Sequence, residues 1–432
     1  MKRIYIIICN LLALVPLLTA CTSDDDSSGS ADAGPVTVSF DATLGYAPAA
    51  EGRGATRAAN AIDYAVAPDS KIGLDTEGGF GVFACYTGLY KYVDSNVHPD
   101  FMYNEHVTYD GTSSSWVYSP IKYWPNGEGE TNSTIVTGEN PHYVSFMAYA
   151  PWTNNLEPDP VSRPVDYCIP SFSKQGDIGN PWLTYRLHDD VTKQVDLLCA
   201  VAQLDQKKPS ITYRVPFVFN HALACVGDKI TIQCSEGLKN QIGNRVNLTV
   251  KNAKVVLTSL KIVYTLTSKA RLVLWNRGEA NWQTIFSEDP ICTRTLTFLE
   301  SDKVSDDEIV YAANKIGTEI GESSIPTSYL VEGKGVYYIP AELVGYVQTA
   351  ELSVTYHVST YNGSTWTDDE ERTGTATITL HDYKDADLTK DAYRPGKHLY
   401  INVKLNPMDI ALTAAIADWV TVGPVEVEGI ED

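Results

Sequence analysis

The sequence predicts an all-β protein of sandwich type. Three observations point there. Helical periodicity is scarce along the 432 residues. Short runs of alternating apolar and polar residues dominate instead, separated by Gly, Pro, Asn and Asp. Tyrosine (26) far outnumbers phenylalanine (10), which suits strands with one wet face. The length leaves room for two domains, and a hydrophobic content of 44% is that of a globular chain.

The first 57 residues are organised differently from the rest. Lys2 and Arg3 form a short positive segment, and Ile4 to Leu18 is mostly apolar. That run has the length of a signal-peptide core and falls short of the roughly 20 residues a membrane span needs. It ends in Leu18-Thr19-Ala20-Cys21, which looks like a bacterial lipobox. The expectation is a signal peptide over 1–20, cleavage before Cys21, and acyl chains on Cys21. Several chains on one residue hold a protein to a bilayer far more firmly than one. Residues 21–34 include Asp24-Asp25-Asp26 among small polar residues, too little apolar surface to fold, and are read as an acidic lipid-anchored tether. Val36 to Leu44 then alternates without a break. Val36, Val38, Phe40, Ala42 and Leu44 share one face, and Thr37, Ser39, Asp41 and Thr43 the other. This is a half-buried strand. Behind it, Pro48 to Ala61 has no period and is rich in small residues. Arg53 and Arg57 sit there, in the kind of loop that proteases cut.

Further strands follow in order: Phe80–Tyr86 behind a Gly78-Gly79 turn, Phe101–Tyr109, Trp116–Pro125, Tyr143–Pro151, Asp196–Ala200, and a long run from Val215. In that run Val215, Phe217, Phe219, His221, Leu223 and Cys225 are expected on one face. Residues 152–193 show no regular pattern. The second half adds Val255–Tyr264, Ala270–Trp275, Gly335–Pro340, Ala350–Val358, Thr375–Leu380 and His398–Leu405. After Trp419 two short alternating segments, Val420-Thr421-Val422 and Val425-Glu426-Val427, flank Gly423-Pro424. Proline cannot donate to a ladder, so a break is expected there; the competing reading is a frayed tail.

Composition excludes some functions. The formal charge is −21, and removal of residues 1–20 takes two cations and no acid, so neither nucleic acid nor an anionic bilayer is a partner by charge. Six cysteines remain after Cys9 and Cys21: Cys85, Cys168, Cys199, Cys225, Cys234 and Cys292. Several occupy apolar strand positions and read as buried free thiols, with Cys225 and Cys234 the candidate pair if a disulfide forms. The acidic runs Thr367–Glu371 and Ser305–Glu308 read as solvated loops. His188-Asp189-Asp190 has no second cluster at zinc or calcium spacing, and His221 reads as a hydrogen-bonded core residue. There is no GxSxG, Walker loop, HExxH or GxGxxG. No catalytic residue, metal site or cofactor is expected. Trp116, Tyr123 and Trp124 could make a sugar-stacking platform, against which stands simple core and turn packing.

The ordered set Phe80–Tyr86, Phe101–Tyr109, Trp116–Pro125, Tyr143–Pro151, Asp196–Ala200 and Phe217–Ala224, with a strand-rich second half and a late Ile416-Ala417-Asp418-Trp419, resembles the fimbrillin-like family of Bacteroidetes (type V pilin, major fimbrial subunit-like lipoproteins). The resemblance covers nearly the whole chain. Cys85, Cys199 and Cys225 depart from the residues expected at their places. The acidic residues behind Cys21 resemble the surface-export signal of Bacteroidetes lipoproteins as well as a plain tether. The resemblance implies two transthyretin-like β-sandwich domains in tandem, at 35–278 and 279–432, with a boundary near Gln206–Ser210 as the compositional alternative. It implies a surface-exposed outer-membrane lipoprotein that is a structural subunit of a fimbria and contributes to cell adhesion. An arginine-specific protease would cut at Arg53 or Arg57, and the strand of Val36, Val38, Phe40, Ala42 and Leu44 would leave. A strand bearing Val420, Val422, Val425 and Val427 from another fimbrial subunit would replace it by β-strand addition. The alternative is a monomeric glycan-binding surface lipoprotein.

Overall fold

The computed structural model describes residues 36–44, 78–125, 142–154, 160–209, 213–275, 280–285, 290–299, 309–314, 328–332, 335–341, 346–380, 395–407 and 410–418. The chain there is all-β. Its strands are β1 (Phe40–Leu44), β2 (Phe80–Gly88), β3 (Met102–Asp110), β4 (Ser115–Val117), β5 (Tyr143–Ala150), β6 (Ser171–Phe172), β7 (Trp182–Arg186), β8 (Leu198–Ala200), β9 (Gln203–Lys207), β10 (Val215–His221), β11 (Ala224–Cys234) and β12 (Asn252–Thr267). There follow β13 (Lys269–Val273), β14 (Asn281–Thr284), β15 (Ile291–Leu299), β16 (Ile309–Asn314), β17 (Tyr329–Glu332), β18 (Val336–Tyr338), β19 (Thr349–Tyr361), β20 (Trp366–Asp368), β21 (Arg372–Thr379), β22 (Lys397–Leu405) and β23 (Ile410–Asp418). The α-helices are short, α1 (Pro164–Cys168) and α2 (Glu236–Arg245). Among the described residues no helix is long and apolar enough to cross a membrane.

An eight-stranded sheet runs β1-β10-β8-β5-β2-β3-β4, with β9 also on β5. Its central strands are apolar on both sides because each side carries a core. Phe80, Val82, Ala84, Phe146 and Ala148 face one, with Phe40, Phe217 and Phe219; Phe83, Met147, Tyr149 and Cys199 face the other. A strand buried on both faces loses the period-2 signal and reads as a continuous apolar run. Gly78 and Gly79, both at positive φ (93° and 85°), turn the chain into β2. A Cβ on Gly79 would lie 1.8 Å from the Val107 carbonyl oxygen, so only glycine fits.

The second half builds a sheet β17-β11-β22-β23 and a sheet β15-β12-β19-β20. The long strand β12 pairs antiparallel with β19 along most of its length, and Leu352, Val354, Tyr356 and Val358 alternate into the shared core. The expected boundary at 278/279 lies outside the described residues; β13 before it and β14 after it pair with each other, Leu272 opposite Trp282.

Three sequence expectations differ from the structure. The run from Val215 is not one strand: β10 stops at His221, and Cys225 belongs to β11, in another sheet, opposite Tyr337 and His398. The chain changes sheets at Ala222-Leu223, where the Ala222 amide donates to the Leu197 carbonyl at 2.7 Å. Residues 152–193 are not irregular throughout, since they hold α1, β6 and β7. Helix α2 also went unseen. Ser235 caps it by accepting from the Leu238 amide, and only Leu238 and Ile242, one turn apart, are buried.

Candidate functional site

The N-terminal strand is built into the first core. Val38, Phe40 and Ala42 are each 1% exposed, while Thr37 and Asp41 face solvent. The Phe40 ring lies 5.5–6.3 Å from those of Tyr118, Phe217, Phe146 and Phe80. Val36 is half-buried against the same core. Leu44 ends the ladder opposite Phe219.

Two sets of backbone bonds hold the strand. Residues 40–44 run parallel to Val215–Phe219 of β10, and the Val215 amide donates to the Ser39 carbonyl at 2.8 Å. Residues 36–38 are held from the other side by the 122–124 segment. The Val38 amide donates to the Lys122 carbonyl and the Trp124 amide to the Val36 carbonyl, both at 2.9 Å. The buried Tyr118 hydroxyl donates to the Val38 carbonyl at 2.7 Å, and burial pushes that phenol up to about 12. Beyond residue 38 the strand stands at the end of the sheet with β10 as its partner. It is therefore a terminal strand whose side chains are core residues. Its removal would leave an apolar groove and an unpaired edge of β10. Tyr118 and Lys122 are the functional residues that sequence reasoning missed. They lie 80 or more positions from Val38, the residue they grip, in a segment of irregular backbone, and nothing local marks them.

Other candidates resolve into structural roles. Trp116 (7%) and Trp124 (1%) are core residues and only Tyr123 (49%) is open, so the three make no stacking platform. His221 is buried, its Nδ1 2.7 Å from the Asp196 carboxylate. In His188-Asp189-Asp190 the three side chains part company. His188 Nε2 meets the Pro160 carbonyl, Asp189 pairs with Arg294 at 2.8 Å, and Asp190 accepts from Thr192, whose hydrogen bonds hold its carboxyl below the ordinary range. Asp369 is paired with Arg245 and Arg372. Among the described residues no three His, Cys, Asp or Glu side chains are gathered as a metal would need. All six cysteines are free. Cys225 and Cys234 lie near the two ends of strand β11, and nine residues at about 3.3 Å each keep them far beyond bonding reach. Cys21, Arg53, Arg57, Val420, Val422, Val425, Val427 and the run 305–308 lie outside the described residues.

Comparison with known proteins agrees with this architecture. No protein-family model matches the chain. Fimbrium subunit Fim1C of Phocaeicola vulgatus is 25% identical over 359 residues, which span 80% of this chain and 83% of that one. By that likeness the chain resembles the fimbrillin-like proteins. The crystal structure of a fimbrial protein from Bacteroides vulgatus superposes with a TM-score of 0.57 at 20% identity, over 89% of this chain and 99% of that one. The fold is thus shared with that protein over most of the chain.

Proposed function

We propose that the chain is a structural subunit of a cell-surface fimbria, with a part in adhesion, and that it assembles by strand exchange. In this reading it is exported, held in the outer membrane by acyl chains on Cys21, and surface-exposed. An arginine-specific protease cuts at Arg53 or Arg57. The strand 36–44 then leaves, and the segment carrying Val420, Val422, Val425 and Val427 of another subunit takes its place beside β10. The chain's role is structural; its named relatives are fimbrial proteins rather than enzymes.

The observation that carries this reading is the terminal position of a strand whose inward side chains are core residues. Such a strand cannot be spared without a substitute. Each large side chain it buries contributes on the order of 1.5–3 kcal/mol, and the exposed β10 edge is a template for another strand. Before cleavage the strand is covalently tethered; after cleavage only its contacts retain it. A monomeric glycan-binding role has less support, because the aromatic set that would have favoured it is mostly core.

The test is trypsin-like processing of the soluble protein, then sizing under mild denaturant. Wild type should give an oligomer ladder. Arg53→Ala/Arg57→Ala and a chain ending at Trp419 should not. A chain ending at Trp419 that polymerises like wild type refutes the C-terminal donor.

A further inference from the structure

The sheet β14-β13-β7-β6 turns one face to the core, through Leu183, Tyr185, Ala270 and Leu272. The opposite face carries an arrangement that folding alone does not call for. Arg186 of β7 stands directly opposite Lys269 of β13, and Arg271 comes next on the same side of β13. Directly opposed side chains in a sheet are about 4.5–5.5 Å apart at Cβ, where like charges destabilise the pair. The next cross-strand row runs Ser171, Thr184, Arg271, Gln283 across all four strands. No acidic residue stands on these two rows. This occurs in a chain with 54 acidic and 33 basic residues, where a cationic face is the exception.

The cations are also preset. The Arg186 guanidinium lies 3.6 Å over the Tyr167 ring and donates to the Tyr167 carbonyl. The Tyr167 hydroxyl reaches Asp189, but that carboxylate is engaged by Arg294. Arg271 lies 3.9 Å over the Trp182 ring, and its Nε is out of solvent with no acceptor. Aromatic stacking holds both guanidinium planes while leaving N–H donors for oxygen anions.

The geometry points to a binding face for an acidic polysaccharide, one bearing uronate carboxylates or sulfates. The cations take the anionic groups. The Ser171 and Gln283 side chains, which both donate and accept, match the neutral hydroxyls of a sugar chain. The sheet packs on a different core from the one that holds the N-terminal strand, so the face stands whether or not strands are exchanged.

The experiment is calorimetric titration of the soluble mature chain with polygalacturonate, heparin and, as the neutral comparison, dextran. Binding of at least one acidic polymer and none of dextran is expected. Lys269→Gln/Arg271→Gln should weaken it at least tenfold. Gln283→Glu puts a carboxylate beside Arg271 on an exposed position; it should weaken binding as strongly while leaving the unfolding temperature unchanged or higher, which separates lost binding from lost folding. Lys91→Gln/Lys261→Gln removes the same charge from exposed sites elsewhere and should leave binding intact. The inference is overturned if neither acidic polymer binds, if Gln283→Glu binds as wild type does, or if the Lys91/Lys261 variant loses as much. It is also overturned if the polymers fail while a peptide of residues 420–432 binds in a Gln283→Glu-sensitive way, which would make the face a protein contact.

Discussion

Phe40→Ala is the substitution that most directly probes how the N-terminal strand is retained. Phe40 is 1% exposed and touches four rings. Truncating a buried phenylalanine costs about 3–5 kcal/mol, from lost transfer energy and the cavity left behind. The cavity would sit between the strand and Phe80, Phe146 and Phe217, so the loss falls on the strand's hold rather than on the rest of the sheet. At about 1.4 kcal/mol per tenfold, that is roughly a hundredfold to a few thousandfold in the strand's residence. The assay is protease nicking behind the strand, then sizing over time with excess peptide of residues 420–432 present. The variant should release its N-terminal segment that much faster than wild type. Asp41→Ala, on the solvent face, should change release little, since surface substitutions usually stay within about 0.5 kcal/mol. Equal release by Phe40→Ala and wild type would refute the view that core packing retains the strand.

Three further outcomes follow from the same structure. Burial sets the Tyr118 phenol at about 12, above the roughly 10 of an unfolded tyrosine; its contribution is therefore intact below pH 10 and lost as pH rises through 12, and Tyr118→Phe should flatten that part of the strand-release profile measured against pH. Burial pushes Cys85 and Cys234 up to about 12 and Cys168 to about 11, so the native mature chain should react slowly with thiol reagents, the half-buried Cys292 first, and denaturation should release the five buried thiols; a reductant-dependent count would contradict the free-thiol state. Cys21→Ala should abolish incorporation of labelled palmitate and release the protein from membranes, and retained label would refute the anchor.

The sequence revealed elements whose burial leaves a local pattern. The alternation at 36–44 marked Val38, Phe40 and Ala42 as inward before any fold was known, and the structure buries all three. The unbroken apolar runs at 80–86 and 143–151 announced strands covered on both faces. Pairing was not legible, because hydrogen bonds between strands leave no trace in composition. Nothing near Phe40 says that it runs parallel to Val215, or that Tyr118 donates to the Val38 carbonyl. The break at Ala222-Leu223 hid inside an apolar stretch because both sheets bury their ends there. Helix α2 shows just two buried residues, Leu238 and Ile242, a stripe too narrow to stand out; Ser235 before Glu236 was its readable start. The cationic face of β7 and β13 joins residues about 85 positions apart and needed the β7–β13 register.

The most direct measurement of strand exchange is disulfide trapping between two differently tagged copies. One copy carries Val218→Cys, on the outward side of β10 opposite Thr43. The other carries Thr421→Cys or Glu426→Cys, on the polar side of a terminal segment. If that segment replaces strand 36–44, mild oxidation of the mixture should yield a two-tag disulfide with one of the two partners. It should do so only after cleavage behind the strand. A two-tag product in the uncleaved mixture at the same yield, or none after complete cleavage, would contradict the account.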